Sequence, residues 1–380
     1  MRQCKRQGCN VLLLTAEKLR AADWPRESLD DTFYLPEEIP LADIVNAVTH
    51  LARTRKLDRL VALDEFDMET AATLREHLRV PGMGLTTMRY FRDKLAMRMK
   101  ALDRGVRVPD FVPVVNHDDI RYYLEHVAGP WVLKPRQEAS AIGIKKIHAA
   151  DELWPVLEQL GDKQSSYLLE KFVPGEVYHV DSVVSENKVL FANVSKYGKP
   201  PMNVAQGGGV FTTFTVHRGS EEDSGLREIN RDLIGVLGLV RGVAHAEFIR
   251  SHADGYFYFL ECAARVGGAY INEMVEAATG INLWREWARI EVAGGDGSYQ
   301  LPPVREEYAG VILSLARQEE PDTSGYNDPE VYLRIKKHHH AGLVLRSTDA
   351  QRIPTLLEGY ARRFAEEFTA VEPPKEKPTA

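Results

Sequence analysis

The stretch that most constrains this chain is 244–265, AHAEFIRSHADGYFYFLECAAR. Two apolar runs flank Asp254-Gly255, and Gly255 supplies the left-handed residue that ends a three-residue hairpin loop. With that loop at 253–255 the hairpin is symmetric about Asp254, which sets Glu247 and Glu261 directly across from each other on one face. Facing Cβ atoms in such a pair are about 5 Å apart, and like charges there repel. The pair reads either as two solvated glutamates or as a built site. The strand neighbours Phe248, Ile249, Phe257, Phe259 and Leu260 argue against an open face. Burying two unneutralised carboxylates costs on the order of several kcal/mol each. A hard divalent cation removes the repulsion, and Mg²⁺ is typically held by one or two carboxylates plus substrate phosphates. The pattern therefore predicts a magnesium–nucleotide site, with Arg265 four residues past the second carboxylate to neutralise phosphate.

Composition excludes several other classes. A formal charge of −7 without a long basic run gives no electrostatic footprint for nucleic acid. No apolar run approaches a membrane span, and the run at Val11–Leu14 is too short for a signal-peptide core. Three cysteines, Cys4, Cys9 and Cys262, form no disulfide framework and point to a reducing cytoplasm. The 380 residues suffice for two or three domains.

Taken in order, residues 10–80 alternate strand-like runs (Asn10–Thr15, Arg59–Glu65) with helical spacing (Leu41–Arg55, Met68–Leu78). Such alternation predicts a parallel α/β sheet. The acidic end of the second run, Asp64-Glu65, reads as a charged loop, although α/β sheets place ligands at such ends. TTMRYFRDKLAMRMKALDRG reads as one amphipathic helix that starts at Thr86 or Thr87 and stops at Gly105. In WVLKP, Lys134 interrupts an apolar strand and calls for an anionic partner, unless it lies on a solvated edge. The small, polar stretch 136–147 reads as a flap between antiparallel strands, whose N–H groups approach phosphate closely. There is no GxxxxGK[ST] and no GxGxxG. Residues 166–185 read as strand, bend at Pro174-Gly175, strand, and the backbone of Glu170–Val173 is available to a purine edge. Gly207–Gly209 is a substrate loop or a plain turn. Lys336–His340 reads as a solvated strand, because consecutive histidines alternate faces and do not converge on one ion.

Six of these pieces in order, the helix RDKLAMRM, the strand WVLKP, the flap EASAIGIKK, the hinge LLEKFVPGE, the strand AHAEFI and ECAARVGG, resemble the ATP-grasp superfamily over about residues 86–295. The resemblance implies an α/β (α+β) fold: a pre-ATP-grasp domain at 1–85 and an ATP-grasp domain at 86–300, whose two lobes clasp ATP and whose lid lobe is about 110–172. A small strand–helix module at 301–370 and a disordered tail at 371–380 follow. It further implies that Lys94 and Lys134 contact ATP phosphates and that Ser140, Ala141 and Gly143 close over them. Glu170, Lys171, Phe172 and Val173 would line the adenine, and Glu176 or His179 would meet the ribose, since Val177 replaces the usual carboxylate. Glu247 and Glu261 would hold Mg²⁺, with Mn²⁺ as an alternative, while Ala263 stands where many relatives carry an asparagine. Arg265, with Lys134, would act on the transferred phosphoryl. Substrate contacts fall on the loops, at Tyr197, Gly208, Gly209, Gly267, Gly268 and Asn272.

The activity implied is an ADP-forming carboxylate–amine ligase with small-molecule substrates, an amino acid among them. No nucleic acid or membrane partner is expected, and a homodimer through the N-terminal domain is common among similar enzymes. A biotin-carboxylase-like enzyme, a small-molecule kinase and a catalytically silent nucleotide-binding protein stay open as alternatives.

Overall fold

A computed structural model describes residues 1–138, 142–202 and 209–370. Ser140, Ala141, Gly208 and the tail at 371–380, for which the sequence raises expectations, lie outside these residues. The N-terminal region carries helix α1 (Arg2–Arg6) and strands β1 (Leu12–Ala16) and β2 (Asp31–Leu35), then helices α2 (Leu41–Ala52) and α3 (Met68–Leu78). β1 and β2 pair in parallel, in keeping with the alternating pattern. The second strand is not where the apolar run placed it. Asp31–Leu35 pairs with β1, whereas Arg59–Glu65 is assigned to no strand. Within that run Leu60 gives its carbonyl to the Arg75 guanidinium at 2.8 Å instead of to a ladder.

The single helix expected from Thr86 to Gly105 is two: α4 (Leu85–Arg89) and α5 (Lys94–Leu102). Asp93 sets the break, because its carboxylate accepts from the N–H groups of Leu95 and Ala96 and starts a new helix at Lys94. Gly105, with φ of +79°, lies beyond the end of α5.

The region expected to be the lid lobe carries a four-stranded antiparallel sheet in the order β3 (Phe111–Pro113), β6 (Tyr167–Lys171), β4 (Trp131–Pro135), β5 (Lys145–Ile147). Helices α6 (His117–His126) and α7 (Ala150–Leu160) close its apolar core around Leu133, Leu153 and Leu169. The flap joins β4 to β5, as expected from its composition. Gly143 stands there at φ +70°, where a Cβ would meet the Pro135 ring at 2.9 Å.

The larger sheet is built from β7 (Gly175–Ser185), β8 (Lys188–Tyr197), β9 (Phe211–Thr215), β10 (Gly242–Ser251), β11 (Phe257–Ala263), β12 (Tyr308–Leu315), β13 (Val331–Lys337) and β14 (His340–Ser347). Their order is β11-β10-β7-β8-β9-β12-β14-β13. The strands after residue 300 thus extend the sheet that carries the carboxylates, since β12 pairs with β9. Helix α8 (Glu221–Leu237) covers one face together with α5, burying Leu226, Leu233 and Ile234 against Tyr178, Val180, Ala244, Ala246 and Phe248. Helices α9 (Ile271–Thr279) and α10 (Leu283–Ala293) form a second core with Val183, Val243 and Val311, and α11 (Arg352–Glu367) a third with Ile312 and Leu343. Because β7 and β10 alternate, sending Tyr178, Val180, Ala244 and Ala246 to α8 puts His179, Asp181, His245 and Glu247 on the opposite face. Lys336–His340 is not one strand: β13 ends at Lys337, His339 takes φ +54° in the turn and β14 starts at His340.

Candidate active site

The hairpin β10–β11 pairs Glu247 with Glu261, as the sequence predicts, but by a different route. The bonded pair Ser251 and Tyr256 closes a loop over 252–255, one residue longer than expected, with Gly255 at φ +73°. Phe248 therefore pairs with Phe259, and a bulge at Leu260 shifts the register back so that Glu247 meets Glu261. The acidic pair lies right beside this bulge.

Each carboxylate has its own counter-group. Lys94, the first residue of α5, reaches Glu261 at 2.9 Å and also donates to the Glu138 carbonyl at 2.6 Å. Burial would raise the Glu261 carboxyl, but the charge and hydrogen bond of Lys94, with Lys134 and Arg98 behind, hold it down at about 2. Glu247 accepts from the Tyr197 hydroxyl at 2.6 Å, and His245 Nε2 stands 3.5 Å away. Two facing carboxylates that are not sealed off, with side chains 15% and 37% exposed, are hard oxygen donors of the kind Mg²⁺ takes. The residues fit that ion.

Lys134 finds the anion its strand position demanded. It is ion-paired with Glu170, whose other oxygen takes both Arg98 Nε at 3.1 Å and Nη2 at 3.0 Å. Arg98 is fully buried and also donates to the Leu260 carbonyl, tying α5 to the bulge. Burial pushes the Glu170 carboxyl up, yet Arg98 and Lys134 hold it below the usual carboxylate range. Glu170 thus contributes a side chain to the core of the site, and the sequence reading had credited only its backbone. Lys171 and Phe172 give their N–H groups to Asp110 and Pro130 at 2.8 and 2.9 Å. In this conformation the Phe172 N–H expected at a purine edge is taken. The Phe172 ring lies under Lys146 Nζ, 3.9 Å from its centroid, and Val173 packs on the cluster of Val177, Tyr197 and Ile249.

Of the two ribose candidates, Glu176 is half exposed and pairs with Lys196 at 2.5 Å. His179 is excluded by burial. It is fully enclosed, with Nδ1 on Asp181 at 2.7 Å and Nε2 on Thr213 at 2.7 Å. It belongs to a line the sequence reading missed: Thr213, His179, Asp181, His245, then Tyr197 and Glu247. Asp181 holds His245 Nδ1 at 2.8 Å. Burial lowers the His245 pKa, but the Asp181 charge and the bonds to Asp181 and Glu247 raise it to about 10, while the Asp181 carboxyl is pulled well down. The signal was available in HVD and HAE, two polar residues at i and i+2 in otherwise apolar strands that pair as His245–Asp181 and Glu247–His179.

Arg265 pairs with Glu65 at 2.7 Å, so the acidic loop of the N-terminal region closes onto the site. Gly267 passes against the His245–Asp181 pair: a Cβ there would meet His245 Nδ1 at 2.9 Å and Asp181 Oδ1 at 3.2 Å. Among the described residues nothing lies within 4 Å of a Cβ placed at Gly268 or Gly209. Asn272 is buried, its side-chain oxygen accepting the Leu283 N–H at 2.8 Å at the start of α10.

Comparison with known proteins defines the class. Residues 127–273 match the ATP-grasp domain family, and the chain carries an ATP-grasp domain in an ATP-grasp fold. Among curated relatives, the L-arginine-specific L-amino acid ligase of Bacillus subtilis is 26% identical over 272 residues, 69% of this chain. The match spans 64% of that relative's own length. A D-alanine–D-alanine ligase of Cupriavidus metallidurans is 26% identical over 222 residues, covering 56% of this chain and 67% of the relative. Among solved structures, an L-amino acid ligase from Bacillus licheniformis superposes with a TM-score of 0.73 at 19% identity, covering 98% of this chain and 95% of that one. The N5-carboxyaminoimidazole ribonucleotide synthetase of Thermus thermophilus gives 0.72 at 16% identity over 98% and 95%. At these identities the structural likeness speaks for the fold. No helix among the described residues is long and apolar enough to cross a membrane.

Proposed function

We propose that this chain is an ATP-dependent carboxylate–amine ligase that activates an acid as its acyl phosphate, joins it to an amine, and releases ADP and phosphate, with an amino acid among its substrates. The observation that carries the reading is the meeting of Lys94 with Glu261 opposite Glu247, an acidic pair beside a phosphate-seeking lysine. The amino-acid ligases among its relatives support the substrate class.

The chemistry follows from charge. A carboxylate resists an amine because it is anionic and lacks a good leaving group. Its oxygen instead attacks the γ-phosphorus of ATP, the bond to the bridging oxygen breaks, and ADP leaves. The amine nitrogen then attacks the acyl carbon, the carbon–oxygen bond breaks, phosphate departs and the nitrogen loses a proton. Glu247 and Glu261 would hold Mg²⁺ or Mn²⁺, which when bound neutralises charge on the phosphates. Lys94 and Lys134 compensate the remaining phosphate charge, and Arg265, kept in place by Glu65, stabilises the phosphoryl in transfer. Water has to be kept from the acyl phosphate while the amine attacks. Three cysteines free of disulfides suit a reducing cytoplasm.

The test is ADP release from ATP and Mg²⁺ over paired pools of amino acids and other acids and amines, with the product identified by mass. An amide formed with ADP supports the reading. AMP with pyrophosphate overturns the acyl-phosphate scheme, a phosphorylated product without an amide makes the protein a kinase, and bicarbonate-dependent turnover of free biotin makes it a carboxylase.

A further inference from the structure

We propose that His245 is a third protein donor to the divalent cation, a nitrogen ligand beside the carboxylates of Glu247 and Glu261. The inference rests on the cation–nucleotide reading of the site and adds to it the chemical identity of the donor set.

Three observations place the ring. His245 and Glu247 are two apart on β10 and so share a face, and Nε2 lies 3.5 Å from Glu247 Oε1. Across the hairpin His245 faces Ala263, in the pair next to Glu247–Glu261 on that face. The Ala263 methyl offers no donor. Finally, Asp181 takes His245 Nδ1 at 2.8 Å and is itself fully buried, fixed by His179 at 2.7 Å.

A histidine that gives one ring N–H to a carboxylate and turns its other nitrogen toward an acidic side chain has the arrangement of a metal-bound imidazole: the carboxylate fixes the tautomer and raises ligand basicity. His179 cannot play this part, since Thr213 and Asp181 engage both of its nitrogens. A cation held by Glu247 would meet the Nε2 lone pair of a ring already oriented by Asp181. The Tyr197 hydroxyl, 2.6 Å from Glu247 and 3.4 Å from His245 Nε2, keeps its bond to Glu247. Imidazole suits first-row transition ions better than it suits Mg²⁺, so a nitrogen donor shifts the site's preference away from Mg²⁺ relative to two carboxylates alone.

The experiment is pulsed EPR on Mn²⁺ bound to the full chain with a non-hydrolysable ATP analogue, the protein carrying ¹⁵N only in histidine so that nucleotide nitrogens do not contribute. The expected result is a directly coordinated ¹⁵N coupling that disappears in His245→Gln while Mn²⁺ still binds. Asp181→Asn should keep the coupling and weaken Mn²⁺ binding roughly 10- to 100-fold, the usual cost of losing such a partner. If either variant fails to fold, the wild-type spectrum decides alone. Mn²⁺ bound without any histidine coupling, or a coupling that persists in His245→Gln, overturns the inference and leaves the function intact. Failure of Mn²⁺ to bind at all, with or without nucleotide, overturns both.

Discussion

Lys94 Nζ lies 2.9 Å from Glu261 Oε2, so the residue that opens α5 is bonded to the second carboxylate of the hairpin. A lysine so placed stands between an acidic side chain and the space where phosphates would lie, and it competes with a cation for the charge of Glu261. Lys94→Met should therefore weaken ATP binding roughly tenfold or more, the scale of a lost charged hydrogen bond. The same change should strengthen Mn²⁺ binding in the absence of nucleotide. Calorimetry of each ligand separately reads both directions, and parallel weakening of the two would show that Lys94 only holds the fold.

Glu261→Gln removes the charge and keeps the shape. Metal-dependent ADP release should fall by at least ~10²-fold, as when one charge-stabilising group is lost. Unchanged turnover would remove Glu261 from the cation site.

Glu170 is 3% exposed and Arg98 is 0%, so the two are committed to each other. Glu170→Gln leaves a buried guanidinium without its anion and should cost roughly 3–5 kcal/mol. The sign with pH follows from the lowered carboxyl. A group held below its ordinary value of 4.5 contributes stability that is present above that value and is lost as pH falls through the lower, folded one. Urea unfolding of wild type and variant between pH 7 and pH 3 should show a gap that is constant near neutrality and narrows in acid. A gap that does not change would mean the carboxyl titrates normally.

These residues also show what the sequence disclosed and what it hid. The facing of Glu247 and Glu261 is legible because period-two alternation survives a small error: the loop is one residue longer than the sequence predicts, and the bulge at Leu260 restores the pairing. The anionic partner of Lys134 was demanded by desolvation cost, but its identity lay 36 residues away and was set by how β4 and β6 pair. Arg98 looked like any cation on an amphipathic helix, since nothing local marks which charge will be buried. The line from Thr213 to Glu247 draws on strands β7 to β10, and only their adjacency in the sheet assembles it. Arg59–Glu65 misled for the opposite reason: an apolar run marks burial, and it becomes a strand only where a ladder partner exists.

Glu65 reaches Arg265 across 200 residues of chain at 2.7 Å, and with the Val266 carbonyl it fixes the guanidinium. Burial lowers the Arg265 pKa, but the charge and hydrogen bond of Glu65, with Asp64 and Glu261 adding, raise it overall; the expected role of Glu65 is then to orient a permanent cation. Glu65→Gln should lower kcat roughly tenfold or more, in line with a misplaced charge-stabilising group, while KM for ATP stays close to wild type. Glu65→Asp should recover part of the loss. A fall confined to KM, with kcat intact, would make the contact a binding clamp instead.

Lys134 separates nucleotide binding from folding. Its removal leaves Glu170 still paired with Arg98 through Nε and Nη2, so no buried charge is stranded. Lys134→Ala should thus destabilise less than Glu170→Gln, yet weaken ATP affinity roughly tenfold or more, because a phosphate loses a charged donor. Thermal unfolding and equilibrium nucleotide binding on the two variants give the comparison. ATP affinity that survives Lys134→Ala would move this lysine off the phosphates and leave it as a counter-ion for Glu170 alone.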